Sequence, residues 1–196
     1  PNTNKDLFSH SLNLLEHRGP DGQGIIHIDK QISFGHKRLS IIDLSNAGNQ
    51  PISKFGRYHL IFNGEIYNYI EIKEKLKLKG YKFNSKSDSE VLIYSFIEWG
   101  ENCVKMFNGM WAFAIWDSKL RSLFLSRDRI GEKPLYYSDL GDKFIFASEQ
   151  KSLLPFLKNV KISSEFNNLI NNPYISSSNT LFSDIYKLPP AHNGIY

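Results

Sequence analysis

Residues 60–72 read LIFNGEIYNYIEI: a strand-like apolar run, the polar step Asn63-Gly64-Glu65, and a segment with helical spacing. The pattern predicts that the strand breaks at Asn63-Gly64-Glu65 and that a helix starts at once. Asn-Gly is the strongest short hairpin signal, but a hairpin returns as a strand and here a helix follows. One reading is a plain turn. The other is a donor site. Gly64 permits a backbone path that other residues resist and exposes its own N–H. Asn63 adds a side-chain amide with two donors. Two donors aimed at one point form an oxyanion hole, and removing one typically costs about 100- to 1000-fold in rate. Glu65, next in line, could hold a cation. The residues alone leave both readings open.

Outward from this stretch the chain shows no internal repeat. A first helix is expected near the start, with Thr3 as cap, Asp6 three residues on, and Phe8, Leu12 and Leu15 on one face. RGPDGQG (residues 18–24) stops it. GIIHI (24–28) and ISFGHKRLSII (32–42) read as strands joined by the turn DKQ (29–31), and LSNAGNQP (44–51) reads as a polar loop. A second helix is expected from Asn68, with Glu71 completing a cap pattern and Ile72 and Leu76 facing inward. A third opens at SDSE (87–90), where Ser87 and Glu90 fit the reciprocal S-x-x-E capping box. Leu92, Phe96 and Trp99 form its apolar stripe. After Gly100, the runs MWAFAIWD, SLFLSR, LYYS and KFIFAS read as consecutive antiparallel strands. MWAFAIW (110–116) is apolar on both parities, so it is expected between two layers. Together these elements predict a layered α+β domain.

The bulk numbers suit a single globular domain. Of 196 residues, 41% are hydrophobic, 22% charged and 14% aromatic, with a net charge of +4. The lysines are dispersed among acids, which argues against a nucleic-acid surface. A lone cysteine, Cys103, excludes an internal disulfide framework and suits a reducing, cytoplasmic compartment. No apolar run is long enough for a membrane span, and the six histidines lack metal-ligand spacing.

Three further positions carry chemistry in outline. Arg38 sits in an apolar, strand-like setting, where its planar fork needs a partner: a ligand carboxylate, or a structural acid such as Asp43. Asp88 lies just inside the third helix, where the dipole favours an acid whether or not it binds anything. Asp128 is read as structural, with an internal ion pair to Arg127 or Arg129 as one way to hold it.

Taken together, HRGPDGQG, GHKRLSIIDLSNAGNQP, IFNGEIYNY, SDSEVLI, FNGMWAFAIWD, RDRIGEKPLYY, FASEQKSLL and TLFSDIYKLPPAH resemble the glutaminase domain of class II glutamine amidotransferases, in the asparagine synthetase branch. The resemblance covers nearly the whole chain, 1–196. It implies an N-terminal-nucleophile hydrolase fold, a four-layer αββα sandwich of two antiparallel sheets. It also implies site roles. Arg38, with backbone groups near Ile41 and Ile42, binds the α-carboxylate of glutamine. Asn63 and Gly64 form the oxyanion hole. Glu65 and Asp88 hold the α-ammonium. The implied reaction is hydrolysis of glutamine to glutamate and ammonia through a thioester, with ammonia passed to an activated carboxylate, that of aspartate. The domain itself is expected to need no cofactor and no metal. ATP and magnesium belong to a synthetase domain C-terminal to it. Glutamine and that domain are the expected partners, with no nucleic acid and no membrane, and a homodimer is left open.

In this family the nucleophile is an N-terminal cysteine in a short apolar strand, whose own α-amine can act as base. Residues 1–6, PNTNKD, already approach the first helix, so that strand is absent from these residues. Cys103 is read as a core thiol and no substitute. Taken literally, residues 1–196 are expected to be inactive, whether the segment was removed, omitted or never present. Two competing readings remain: a non-catalytic glutamine-binding or scaffold module, and an amidotransferase domain acting on a sugar acid or peptide carboxylate.

Overall fold

The computed structural model describes residues 4–39, 48–164, 166, 171 and 178–196. Among these, a five-stranded antiparallel sheet runs in the order β10-β6-β5-β4-β3. Its strands are β3 (Ile52–Lys54), β4 (Tyr58–Ile66), β5 (Gly109–Asp117), β6 (Ser122–Arg127) and β10 (Asn193–Ile195). Facing it is a second layer in two pieces: β1 (Gly22–Ile28) with β2 (Ile32–Arg38), and β8 (Phe144–Ala147), β7 (Tyr136–Asp139) and β9 (Tyr186–Lys187). Phe34 of β2 and Phe146 of β8 join the two pieces edge to face, ring centroids 5.9 Å apart.

β5 shows why the layers stack. Trp111, Phe113 and Ile115 point to one side and pack on the helices α2 (Tyr69–Leu78) and α3 (Asp88–Trp99). Ala112, Ala114 and Trp116 point to the other and pack against Phe34, Leu135 and Phe146 of the second layer. A strand with period-2 side chains can be apolar throughout only if both faces are covered. α1 (Lys5–Asn13) covers the outside of β2, where Gly35 admits Leu12 and Phe8: a Cβ there would lie 2.9 Å from a Leu12 methyl. The result is helix, sheet, sheet, helix, the αββα sandwich expected above.

Several local readings change. The strand does not break at Asn63-Gly64-Glu65. β4 runs on to Ile66, pairing Asn63 with Ala112, Gly64 with Trp111 and Glu65 with Met110. Pairing with β5 overrides the turn propensity of Asn-Gly, and the helix starts only at Tyr69. The strand expected over 32–42 ends at Arg38 among the described residues. α1 is capped by Asn4, which accepts from the Leu7 N–H at 3.1 Å, while Thr3 lies outside the described residues. Asn68 makes no cap bond. Its side chain instead bridges the Met106 carbonyl and the Asn108 N–H, both at 2.9 Å. Ser87 does cap α3, accepting from Ser89 N–H, but Glu90 turns away to Lys54 and the Asn84 and Ser85 N–H groups. The capping box is therefore half formed. The first two turns of α3, Asp88 to Ser95, are buried on every side rather than along one stripe.

The strands after Gly100 also divide. β5 and β6 belong to one sheet and β7 and β8 to the other, so residues 128–135 carry the chain between layers. Asp128 anchors that crossing, a structural role held by backbone groups rather than by an ion pair. Its carboxylate accepts from the N–H groups of Trp111, Ile130, Glu132 and Lys133 at 2.9 to 3.3 Å. Arg127 donates to the carbonyls of Gly131, Lys133 and Leu188, and Arg129 to that of Phe107. Asp128 and the two arginines thus satisfy backbone groups rather than one another.

Candidate active site

Side-chain parity decides what faces the space between the sheets. On β4, Leu60, Phe62 and Ile66 pack toward the helices, and Ile61 packs into the inter-sheet core. Asn63 and Glu65 share the parity of Ile61, so they face the second layer. On β2, Phe34 packs into the inter-sheet core, and His36 and Arg38 share its parity. Where the layers part, a cavity of about 550 Å³ opens, and Arg38, Asn63, Gly64, Glu65 and Asp88 all line it. These five come from β2, β4 and the first turn of α3. Ile41 and Ile42 lie outside the described residues.

The backbone of β4 is as informative as its side chains. β3 pairs with β4 only as far as Leu60, opposite Ile52. In an antiparallel strand, alternate N–H groups point to the same edge. The Phe62 N–H points away from β5 and is taken by Gln50 Oε1 at 2.6 Å. The Ile66 N–H is taken by Asp88 Oδ2 at 2.9 Å. The Gly64 N–H lies between them on the same edge. A Cβ at residue 64 would overlap the Met110 carbonyl oxygen and come within 2.8 Å of Trp111 Cα, so only glycine lets β4 and β5 close here. Asn63 Nδ2 is buried and, among the described residues, has no hydrogen-bond partner. A buried amide without a partner is costly unless something fills its place.

Charged groups of both signs line the cavity. Asp88 is 5% exposed, and burial raises its carboxyl above the ordinary aspartate value. The Ile66 and Ser89 N–H groups offset part of that rise, and the negative charge of Glu65 adds to it. A buried acid with a second negative charge acting on it is stabilised in its charged form by a bound cation. Arg38 donates to Asn49 Oδ1 at 2.5 Å. Near it, burial pushes His36 down to about 4, opposed by a hydrogen bond with the Phe62 backbone and reinforced by the Arg38 charge. His36 is therefore neutral at ordinary pH. Cys103 does not line the cavity, and burial drives its thiol up to about 12. Gln50, His36 and Lys133 also line the cavity; each lies in a stretch that carries the resemblance, but the sequence assigns none of them a role. Among the described residues no group of histidine, cysteine or acidic side chains could hold a metal, and no helix is long and apolar enough to cross a membrane.

Residues 1–196 match the family model described as a glutamine amidotransferase domain. "Asparagine synthetase [glutamine-hydrolyzing] 1" of Bacillus subtilis is 40% identical over 188 residues, which is 95% of this chain and 29% of that protein. "Putative asparagine synthetase [glutamine-hydrolyzing] 2" of Methanocaldococcus jannaschii is 38% identical over 98% of this chain and 42% of its own length. "Amidase chry2" of Gibberella zeae is 38% identical, over 93% of this chain and 27% of its own. The chain thus spans less than half the length of these relatives. Among solved structures, glutamine phosphoribosylpyrophosphate amidotransferase from B. subtilis superposes with a TM-score of 0.64 at 22% identity, covering 78% of this chain and 41% of that one. That likeness bears on the fold alone and agrees with a sandwich of two antiparallel sheets. By its match over the whole length and by its relatives, the chain belongs to the glutamine amidotransferase domain family.

Proposed function

We propose that this chain is the glutaminase domain of an asparagine synthetase-type enzyme, hydrolysing glutamine to glutamate and ammonia for transfer to the activated carboxylate of aspartate. The observation that carries the reading is the buried, partnerless Asn63 Nδ2 beside the Gly64 N–H on one cavity wall. These are two donors awaiting an oxygen. When a nucleophile attacks the side-chain amide of glutamine, its carbonyl oxygen gains negative charge, and preorganised donors stabilise that charge more than they stabilise the neutral ground state. The charged groups of the cavity suit the rest of the molecule. The paired acids Glu65 and Asp88 complement an α-ammonium, and the Arg38 guanidinium complements an α-carboxylate.

The attacking thiolate is assigned to a cysteine outside residues 1–196, because the buried, neutral Cys103 cannot supply it. ATP and magnesium are assigned to the synthetase portion of the intact protein. The test is steady-state glutaminase activity of the intact gene product with Asn63→Ala. Loss of one oxyanion donor should lower kcat about 100- to 1000-fold with little change in KM. An unchanged kcat would return Asn63 to a strand residue without a chemical role.

A further inference from the structure

We infer that Gln50 is a positioning residue for the Asn63–Gly64 donor pair, an inference that rests on the glutaminase reading above. Past Leu60, β4 has no strand paired to it on the β3 side among the described residues. Gln50 stands in for one. Its carboxamide donates from Nε2 to the Phe62 carbonyl at 3.0 Å and accepts the Phe62 N–H on Oε1 at 2.6 Å. A primary amide carries one donor face and one acceptor face, as a peptide group does, so it can satisfy both polar groups of a strand residue at once.

Gln50 is itself held on two sides. Its main-chain carbonyl lies so close to Gly24 of β1 that a Cβ on Gly24 would collide with it. Its Nε2 is 3.5 Å from Ser89 Oγ, in the same turn of α3 that carries Asp88. Gln50 is 8% exposed and Phe62 is 4% exposed, so water has little access to replace a lost partner. Phe62 is bonded directly to Asn63. Any displacement of its peptide group moves the Asn63 amide and tilts the Gly64 N–H. Both polar atoms of the Gln50 side chain are engaged by Phe62, so Gln50 acts on the donor pair through β4. A misplacement of about 1 Å in a reacting constellation costs on the order of 100-fold in rate.

The experiment compares Gln50→Ala, Gln50→Glu and the near-isosteric Gln50→Met in the intact gene product, alone and combined with Asn63→Ala. Glutaminase kcat and KM are measured per active site, titrated with an electrophilic glutamine analogue, and folding is followed by near-UV circular dichroism. Gln50→Ala and Gln50→Met should lower kcat about 30- to 100-fold while KM stays within about 3-fold. Gln50→Glu, which sets an oxygen against the Phe62 carbonyl, should do no better. In the Asn63→Ala background the further loss from Gln50→Met should shrink to under about 5-fold, since residues acting as a unit are not additive. Wild-type kcat in a folded variant, or the same fold-loss in both backgrounds, overturns the inference. If none of the three variants folds, Gln50 serves the fold alone, and the inference is again overturned. Absence of glutamine hydrolysis by the wild-type protein is a different result, because it removes the functional reading and the inference with it.

Discussion

Asp88 and Asp128 perform the same backbone service in two parts of the molecule. Each reaches a strand of the five-stranded sheet where the neighbouring strand has stopped, and each accepts an N–H that would otherwise lack a partner: Ile66 for Asp88, Trp111 for Asp128. Their surroundings then diverge. For Asp128, burial opposes the charge, but the N–H groups of Lys133, Glu132, Gly131 and Trp111 outweigh it and hold the carboxyl below its ordinary range. Asp88 has fewer donors, a second acid nearby and a cavity in front of it, so its carboxyl is pushed up. A buried carboxylate whose oxygens are saturated by the backbone belongs to the architecture. One that remains under-satisfied at a cavity wall is available to a ligand.

The largest effect should come from the saturated acid. Asp128→Ala removes the acceptor of four backbone donors, that of Trp111 buried and the others partly so, and should lower stability by about 4 kcal/mol. Urea unfolding of the isolated domain measures it. A loss under about 1 kcal/mol would erase the contrast between the two acids. Asp88→Asn should do the reverse. The amide oxygen still accepts the Ile66 N–H, so stability should hold or rise slightly, because burial already disfavours the charge. The KM for glutamine should rise about 30-fold or more, as expected when one member of a buried charge pair is neutralised. Equal KM values for Asp88→Asn and wild type would place the ammonium elsewhere.

A further effect concerns His36 and is read as a pH dependence. Its ring is neutral in the folded protein down to about 4, whereas the unfolded chain takes up a proton near 6.5. Its contribution is therefore fully present above pH 6.5 and is lost as pH falls toward about 4. The shift amounts to at most on the order of 3 kcal/mol. His36→Gln, which cannot titrate, should flatten the fall of Tm over that interval. An acid limb as steep as that of wild type would place the titrating group elsewhere, His59 being the next candidate because burial lowers it too.

Legibility from sequence followed the range of the forces involved. β5 was readable because an apolar run on both parities has one stable solution, burial between layers. α3 was readable because Ser87 signals its own start. Arg38, Asn63, Gly64, Glu65 and Asp88 were recognisable as a set only through the resemblance, and the fold brings all five to one cavity. What stayed hidden was long-range pairing. Asn63-Gly64 resembles a turn until β5 is laid beside it. Glu90 resembles half of a capping box until Lys54 competes for it. Asp128 resembles a partner for its neighbouring arginines until the backbone of 130–133 folds around it. Gln50 gives no local signal, because its role exists only where Phe62 lies beside it.

The gap left by β3 has a consequence for self-association. An uncovered sheet margin normally invites another polypeptide to add itself as a further strand. Among the described residues, side chains take the β4 amides of residues 62 and 66 and leave that of Gly64 between them. A visiting strand needs several consecutive amides and finds no foothold, whereas a lone oxygen atom needs only one. The same device that denies the margin to aggregation sizes it for a tetrahedral carbon's oxygen.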